Sequence, residues 1–147
     1  MAAPDFYFAI NATFRHLHDV YGKAALIDYW RSLGREYYRS RTDRWKNGDL
    51  QTLAVDWQNY FAEEPQAVVD VTVAAHAVEV NITVCPAIKH LRDNHRDIVP
   101  YFCEHCDHIC GAMADVSGYT FHREGGGGSC RQRFVQLPSG TEEARKC

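Results

Sequence analysis

Apolar residues recur at helical spacing through the first third of the chain: Phe14, Leu17, Tyr21, Ala24, Ala25 and Ile27. This pattern predicts helix from Phe14 to about Lys46, with Gly34 as a break between two helices. Asn47-Gly48-Asp49 then marks a turn and a helix N-cap. A third helix from Leu50 to Phe61 closes at Glu63-Glu64-Pro65, because proline disfavours helix in the residue before it. At Val68 the period changes. In VVDVTVAAHAVEVNITVCP, Val69, Val71 and Val73, and then Val78, Val80, Ile82 and Val84, alternate with polar or small residues, the period-two signature of two half-buried strands. On the second strand the alternation puts Asn81, Thr83 and Cys85 on the face opposite Val80, Ile82 and Val84.

Pro86 is expected to open a short helix, and Ile98 to Ala114 a longer one. Two further strand-like runs, YTFHR and RQRFVQL, are joined by EGGGGS, which reads as a hairpin loop with unrestricted dihedrals. Neither a P-loop lysine nor a dinucleotide-binding spacing accompanies the glycines. The order is helices, two strands, two helices, two strands. It predicts one α+β domain, residues 1–147, with an antiparallel sheet of about four strands covered by helices on one side. Residues 14–61 form the helical part, 65–137 the α+β core, and 138–147 a tail expected to be mobile, ending in a free Cys147 thiol.

Composition narrows the setting. A chain of 147 residues with 46% apolar content can bury a core without disulfide staples. It has neither a basic leader followed by an apolar run nor eighteen apolar residues together, so the expectation is a cytoplasmic protein with no membrane partner. Six cysteines in a reducing compartment point to metal binding, catalysis or packing. The net charge of −3 argues against nucleic acid as a partner. The local basic run of Arg31, Arg35, Arg39, Arg41, Arg44 and Lys46 reads first as a solvated helix face. A competing reading turns one of these arginines inward to hold a substrate carboxylate.

The densest chemistry is FCEHCDHIC, residues 102–110. At roughly 100° per helical residue, Cys106, Asp107 and Cys110 all fall within about 60° of Cys103, on one face. His105 and His108 fall on the opposite side and are expected to be solvated. The stripe of Ile98, Val99, Phe102, Ile109 and Met113 flanks the cysteines, so Cys106 and Cys110 read as small buried hydrophobes. Cys103 suits burial less, with an acid one turn away on the same face. A zinc site would need Cys85 and Cys130 to join Cys103, because Cys103-x-x-Cys106 lacks a second pair of its own.

The run VNITVCPAIKHL, the Cys-x-x-x-Asp of FCEHCD and the segment GYTFHREGGGGSCRQRFV together resemble the L-2-amino-thiazoline-4-carboxylic acid hydrolase family over about residues 65 to 137. The family pattern maps onto Asn81, Thr83, Cys85, Cys103, Asp107, Arg123 and Cys130. The chain departs from it at Arg131, where an acid is usual, in a richer glycine turn, and in the added Cys106 and Cys110. The resemblance implies a hydrolase that adds water to a cyclic amidine carbon and opens the ring of a small-molecule substrate. Cys103 is then the first choice of nucleophile and Cys85 the second, Asp107 moves protons, and Asn81, Thr83, Arg123 and Cys130 bind substrate. The thiol scheme needs no cofactor. The alternative is zinc-bound hydroxide on Cys85, Cys103 and Cys130, or with Asp107. A rival expectation comes from vinyl-reductase-type domains, which also combine a strand pair, a helix and late cysteines. It is a non-catalytic sensor with a structural zinc.

Overall fold

The computed structural model describes residues 5–138. Helix α1 (Phe6–Tyr21) starts a full two turns before the expected Phe14, because Tyr7 and Ile10 extend the same apolar stripe. Gly22, at φ 90°, ends it and turns the chain into α2 (Lys23–Ser32). The expected break at Gly34 is not a break. The chain runs through one widened π-helical turn (Leu33–Tyr37) into α3 (Arg39–Asn47). Helix α4 (Leu50–Ala62) starts where the sequence places it. The Asp49 carboxylate accepts the Thr52 N–H at 2.9 Å, and the Thr52 hydroxyl accepts the Asp49 N–H at 3.3 Å, a reciprocal cap.

The strands are β1 (Val68–Val73), β2 (Ala77–Val84), β3 (Tyr119–Gly126) and β4 (Ser129–Gln136), antiparallel in the order β1-β2-β4-β3. The predicted α+β architecture, a four-stranded antiparallel sheet with helices packed on it in a single domain, is the one observed. The β3–β4 hairpin is longer than expected: Gly125 and Gly126 belong to β3, and only Gly127 and Gly128 form the turn, both at positive φ (66° and 115°). Two positive-φ residues match the turn that follows the right-handed twist of the flanking strands, and glycine adopts it without a Cβ clash. Register fixes the two sheet faces. Val78, Val80 and Ile82 of β2 stand beside Phe134, Gln132 and Cys130 of β4, which face Phe121, Arg123 and Gly125 of β3. Glu79, Asn81 and Thr83 alternate onto the other face beside Arg133 and Arg131, where Arg131 pairs with Glu79 at 2.7 Å.

Helix α5 (Pro86–Asp93) has proline in its first turn, as expected. The next helix, α6 (Glu104–Ser117), begins six residues later than the expected Ile98. Residues 94–103 form a loop and turns, and Cys103 immediately precedes the first helical residue. Helix α6 separates two apolar clusters. One lies against the sheet (Trp45, Leu53, Trp57, Val80, Met113, Phe134), and the other among α1, α2 and α5 (Phe14, Leu26, Trp30, Ile88, Leu91, Phe102). No helix of the described residues is long and apolar enough to cross a membrane. Of the tail expected to be mobile, 138–147, residues 139–147 including Cys147 lie outside the described residues.

Of the basic run, Arg41 does turn inward, yet it holds a carboxylate of the chain itself. Its Nε donates to Asp56 at 2.7 Å, while its guanidinium carbon lies 4.5 Å from the Trp57 ring centroid and 5.0 Å from that of Tyr60. Arg44 and the Trp45 indole N–H donate to the same aspartate.

Gly34 is buried where the π turn crosses α6. A Cβ there would collide with the Ile109 carbonyl and come within 2.8 Å of Ala112 Cβ. Gly34→Ala is therefore expected to destabilise the fold by about 1–3 kcal/mol. Gly111→Ala, on α6 with nothing within 4 Å of the new Cβ, should stabilise it by about 0.5–1 kcal/mol. Urea denaturation of the two variants measures the contrast, and equal effects would contradict the close crossing.

Candidate functional site

A cleft of about 410 Å³ opens between the α5 side and the tip of the β3–β4 hairpin. Its lining includes Ile88, Arg92, Phe102, Cys103 and Arg123, together with Gly125, Gly126 and Gly127. The hairpin wall is bare backbone. A Cβ on Gly126 would lie 3.8 Å from the Cys103 sulfur, and one on Gly127 or Gly128 would approach the Arg92 guanidinium at 3.7 or 3.2 Å. Cys103 Sγ accepts the Gly127 N–H at 3.4 Å.

Asp107 and Arg123 are one unit. Arg123 Nε donates to Asp107 Oδ1 at 2.9 Å and Nη2 to Oδ2 at 2.7 Å, the two-pronged geometry that a planar guanidinium and a carboxylate share. Nη1 donates to the Gly125 carbonyl. Three of the five guanidinium N–H groups are thereby engaged, and two remain. The hydrogen bonds that Arg123 donates to Asp107 raise the Arg123 pKa further above its ordinary value, so the group is a fixed cation. Asp107 accordingly positions Arg123; it is not the free proton shuttle expected from sequence.

The other thiols are packed away from the cleft lining. Cys85 follows β2 at the start of α5, donates its N–H to the Gly128 carbonyl at 2.8 Å, and packs against both apolar clusters. Burial pushes its thiol pKa up, which makes it a poor second nucleophile. Burial likewise pushes Cys106 and Cys130 up to about 11, and Cys110 well above the ordinary value. Gln132, buried on the inner sheet face, donates to Cys130 Sγ at 3.7 Å.

Several expectations are corrected. Asn81 and Thr83 lie on the sheet face away from the helices and cannot meet Cys103, because strand alternation that buries Val80 and Ile82 turns them outward. Cys85 escapes that alternation because the strand ends at Val84. Cys85, Cys103 and Cys130 do not make a metal site: among the described residues no group of three or more His, Cys, Asp or Glu is placed to hold an ion. The donor set therefore does not fit the zinc alternative.

The histidines are not fully solvated either: α1 and α2 partly cover the side of α6 that a lone helix would expose, leaving both rings half-buried. The His105 ring packs between Phe14 and Phe102, at centroid distances of 5.5 and 5.0 Å, and His108 stacks on Trp30 at 5.6 Å. His105 Nδ1 donates to the Phe102 carbonyl at 2.5 Å. That bond leaves the Nε2 lone pair free, and the Cys106 thiol donates to it at 3.5 Å. Burial lowers the pKa of both histidines.

Sequence reasoning missed three contributors. Arg92, in the unremarkable run KHLRDNH, supplies a second guanidinium to the cleft. Asn11, buried in α1, clamps the loop before α6: its amide donates to the Asp97 carbonyl at 2.8 Å and its carbonyl accepts the Val99 N–H at 3.1 Å. Gln132 is the third, and a glutamine aligned with the apolar positions of a strand was its signal. Comparison of the chain with models of known protein families gives no match, and no curated protein matches it.

Two outcomes follow from this geometry. Brief iodoacetamide treatment with peptide mapping should alkylate Cys103 at least about tenfold faster than Cys85, Cys106, Cys110 or Cys130, since Cys103 lines the cleft while burial holds the other four as protonated thiols. Comparable labelling of any of those four would contradict the assigned burial. For His105 and His108, an unfolded imidazole titrates near 6.5 and the folded one lower, so below about pH 6.5 the unfolded chain binds protons that the folded chain refuses. Stability is thus expected to fall as pH drops through that range, chiefly through His105, with the less buried His108 contributing less because solvent screens it. Thermal melts at pH 7.5 and pH 5 test this, with His105→Gln reducing the difference.

Proposed function

We propose that the cleft is the active site of a hydrolase acting on a small, carboxylate-bearing cyclic amidine, with Cys103 as the nucleophile. One observation carries this reading: among the described residues Cys103 is the thiol that lines the cleft, and it shares that cleft with two guanidinium groups, those of Arg92 and Arg123. The motif resemblance to aminothiazoline-carboxylate hydrolases supports the same substrate class independently of the geometry.

In this scheme a substrate carboxylate pairs with Arg92, at the open side of the cleft, and with the unengaged N–H groups of Arg123. Such charge-assisted hydrogen bonds contribute about 1.5–3 kcal/mol. The bond from Arg123 to Asp107 keeps that guanidinium at one angle, so the amidine carbon is presented to the sulfur in one orientation. Cys103, as thiolate, adds to the C=N carbon. The bond from that carbon to the ring heteroatom breaks, and the heteroatom leaves with a proton, opening the ring. A water then adds to the same carbon and expels the Cys103 sulfur, giving the carbamoyl product and restoring the thiol. One water is consumed and no oxidant or reductant is required.

The experiment is turnover of L-2-amino-thiazoline-4-carboxylate and of imidazoline and dihydropyrimidine carboxylates, followed by appearance of the ring-opened product. Cys103→Ser should lose at least about a thousandfold in kcat while melting at the wild-type temperature. Arg92→Met should raise KM by about tenfold to a hundredfold with a smaller change in kcat. If the wild-type chain converts none of these rings, or if Cys103→Ser keeps its rate, the reading fails.

A further inference from the structure

The partly buried pair His105 and Cys106 has no part in that reaction, yet it is built as a unit. The Phe102 carbonyl holds the His105 proton on Nδ1, and the free Nε2 receives the Cys106 thiol at 3.5 Å. A neutral imidazole accepting from a thiol is the arrangement that takes a proton from sulfur when sulfur attacks. Cys103 lies one turn before Cys106, at the open end of the helix. Its backbone is helical (φ −68°, ψ −17°), and the Cys106 N–H bonds to the Cys103 carbonyl at 3.2 Å. Residues three apart in such a turn have Cα atoms about 5 Å apart. That lies inside the roughly 4.4–6.8 Å range that a disulfide spans without rebuilding the backbone.

We propose that Cys103 and Cys106 are a redox couple that exchanges with small anionic disulfides, Cys103 attacking from the cleft and Cys106 resolving with His105 as its base. The Cys103 thiolate attacks one sulfur of the incoming disulfide, forming a mixed disulfide and releasing one thiolate. Cys106 gives its proton to His105 Nε2 and attacks the Cys103 sulfur. The Cys103–Cys106 bond forms, the mixed disulfide breaks, and the second thiolate leaves, taking up the proton from His105 or solvent. Two electrons pass from the cysteine pair to the incoming disulfide, and an external dithiol returns them. Arg92, and the two unengaged N–H groups of the Asp107-paired Arg123, offer donors to an anionic disulfide; Glu104, which also lines the cleft, is paired with Lys23. The couple depends on Cys103 being the open thiol of the cleft, and not on amidine hydrolysis, so it stands if no ring is turned over.

The test treats the full-length reduced chain with glutathione disulfide without air, quenches with acid, counts released glutathione and maps the peptides. The expected result is two glutathiones released per bridge, a Cys103–Cys106 disulfide, and its reopening by dithiothreitol. Cys106→Ser should stop at one glutathione bound to Cys103, and Cys103→Ser should leave Cys106 unmodified. His105→Gln should accumulate the mixed disulfide because its resolution slows by about a hundredfold. A wild-type chain that holds a stable mixed disulfide at Cys103, or one that bridges Cys103 to Cys85, Cys110 or Cys130 instead, overturns the proposal. The wild-type stoichiometry and map decide the matter even if a variant fails to fold.

Discussion

Helix α6 has to satisfy two layers at once, and the close crossing at Gly34 is what permits it. One side of the helix presses Cys110, Met113 and Ala114 onto the sheet cluster, while the opposite side meets α2 and the π turn with no room for a single methyl group. Interiors pack at crystal-like density, so a helix held from both sides has little freedom to rotate. That immobility is inherited by everything the helix carries. Cys103 at its start, Asp107 one turn on, and the His105–Cys106 pair take their directions from a rod that cannot roll.

A two-pronged ion pair ties the sheet to this rod. Arg123 stands on the inner face of β3 beside the buried Gln132 of β4 and reaches Asp107 with two hydrogen bonds. From the other layer, Asn11 of α1 fixes the loop that leads into Cys103 by bonding its backbone at Asp97 and Val99. The cleft therefore sits where three separately anchored pieces meet: a hairpin tip, a loop clamped from α1, and the start of α6.

Much of this was legible in the sequence, for reasons that particular residues make plain. Alternating valines specified β1 and β2, Asp49 and Thr52 specified the start of α4, and helical phase grouped Cys103, Cys106, Asp107 and Cys110 on one side. The misreadings have physical causes. Phase alone says that His105 and His108 oppose the cysteines; it does not say that Phe14 and Trp30 will cover that side. A glycine in a helical run reads as a break, whereas Gly34 is there because another backbone touches it. Alternation was extended one residue too far, to Cys85, where the strand had already ended, and the outward face that it assigned to Asn81 and Thr83 separates them from the helix that carries Cys103. Arg92 gave no periodic signal, since its role arises from the fold of a distant hairpin.

The glycine hairpin leaves the cleft lopsided. One wall is peptide backbone held at dihedrals that other residues adopt poorly, and the facing wall is made of the side chains of Ile88, Arg92 and Phe102. Variation on the backbone wall meets a steric veto, so the chain can retune what it accepts chiefly by exchanging residues of α5 and the loop after it. The hairpin acts as a fixed die, and the opposite wall as its interchangeable insert.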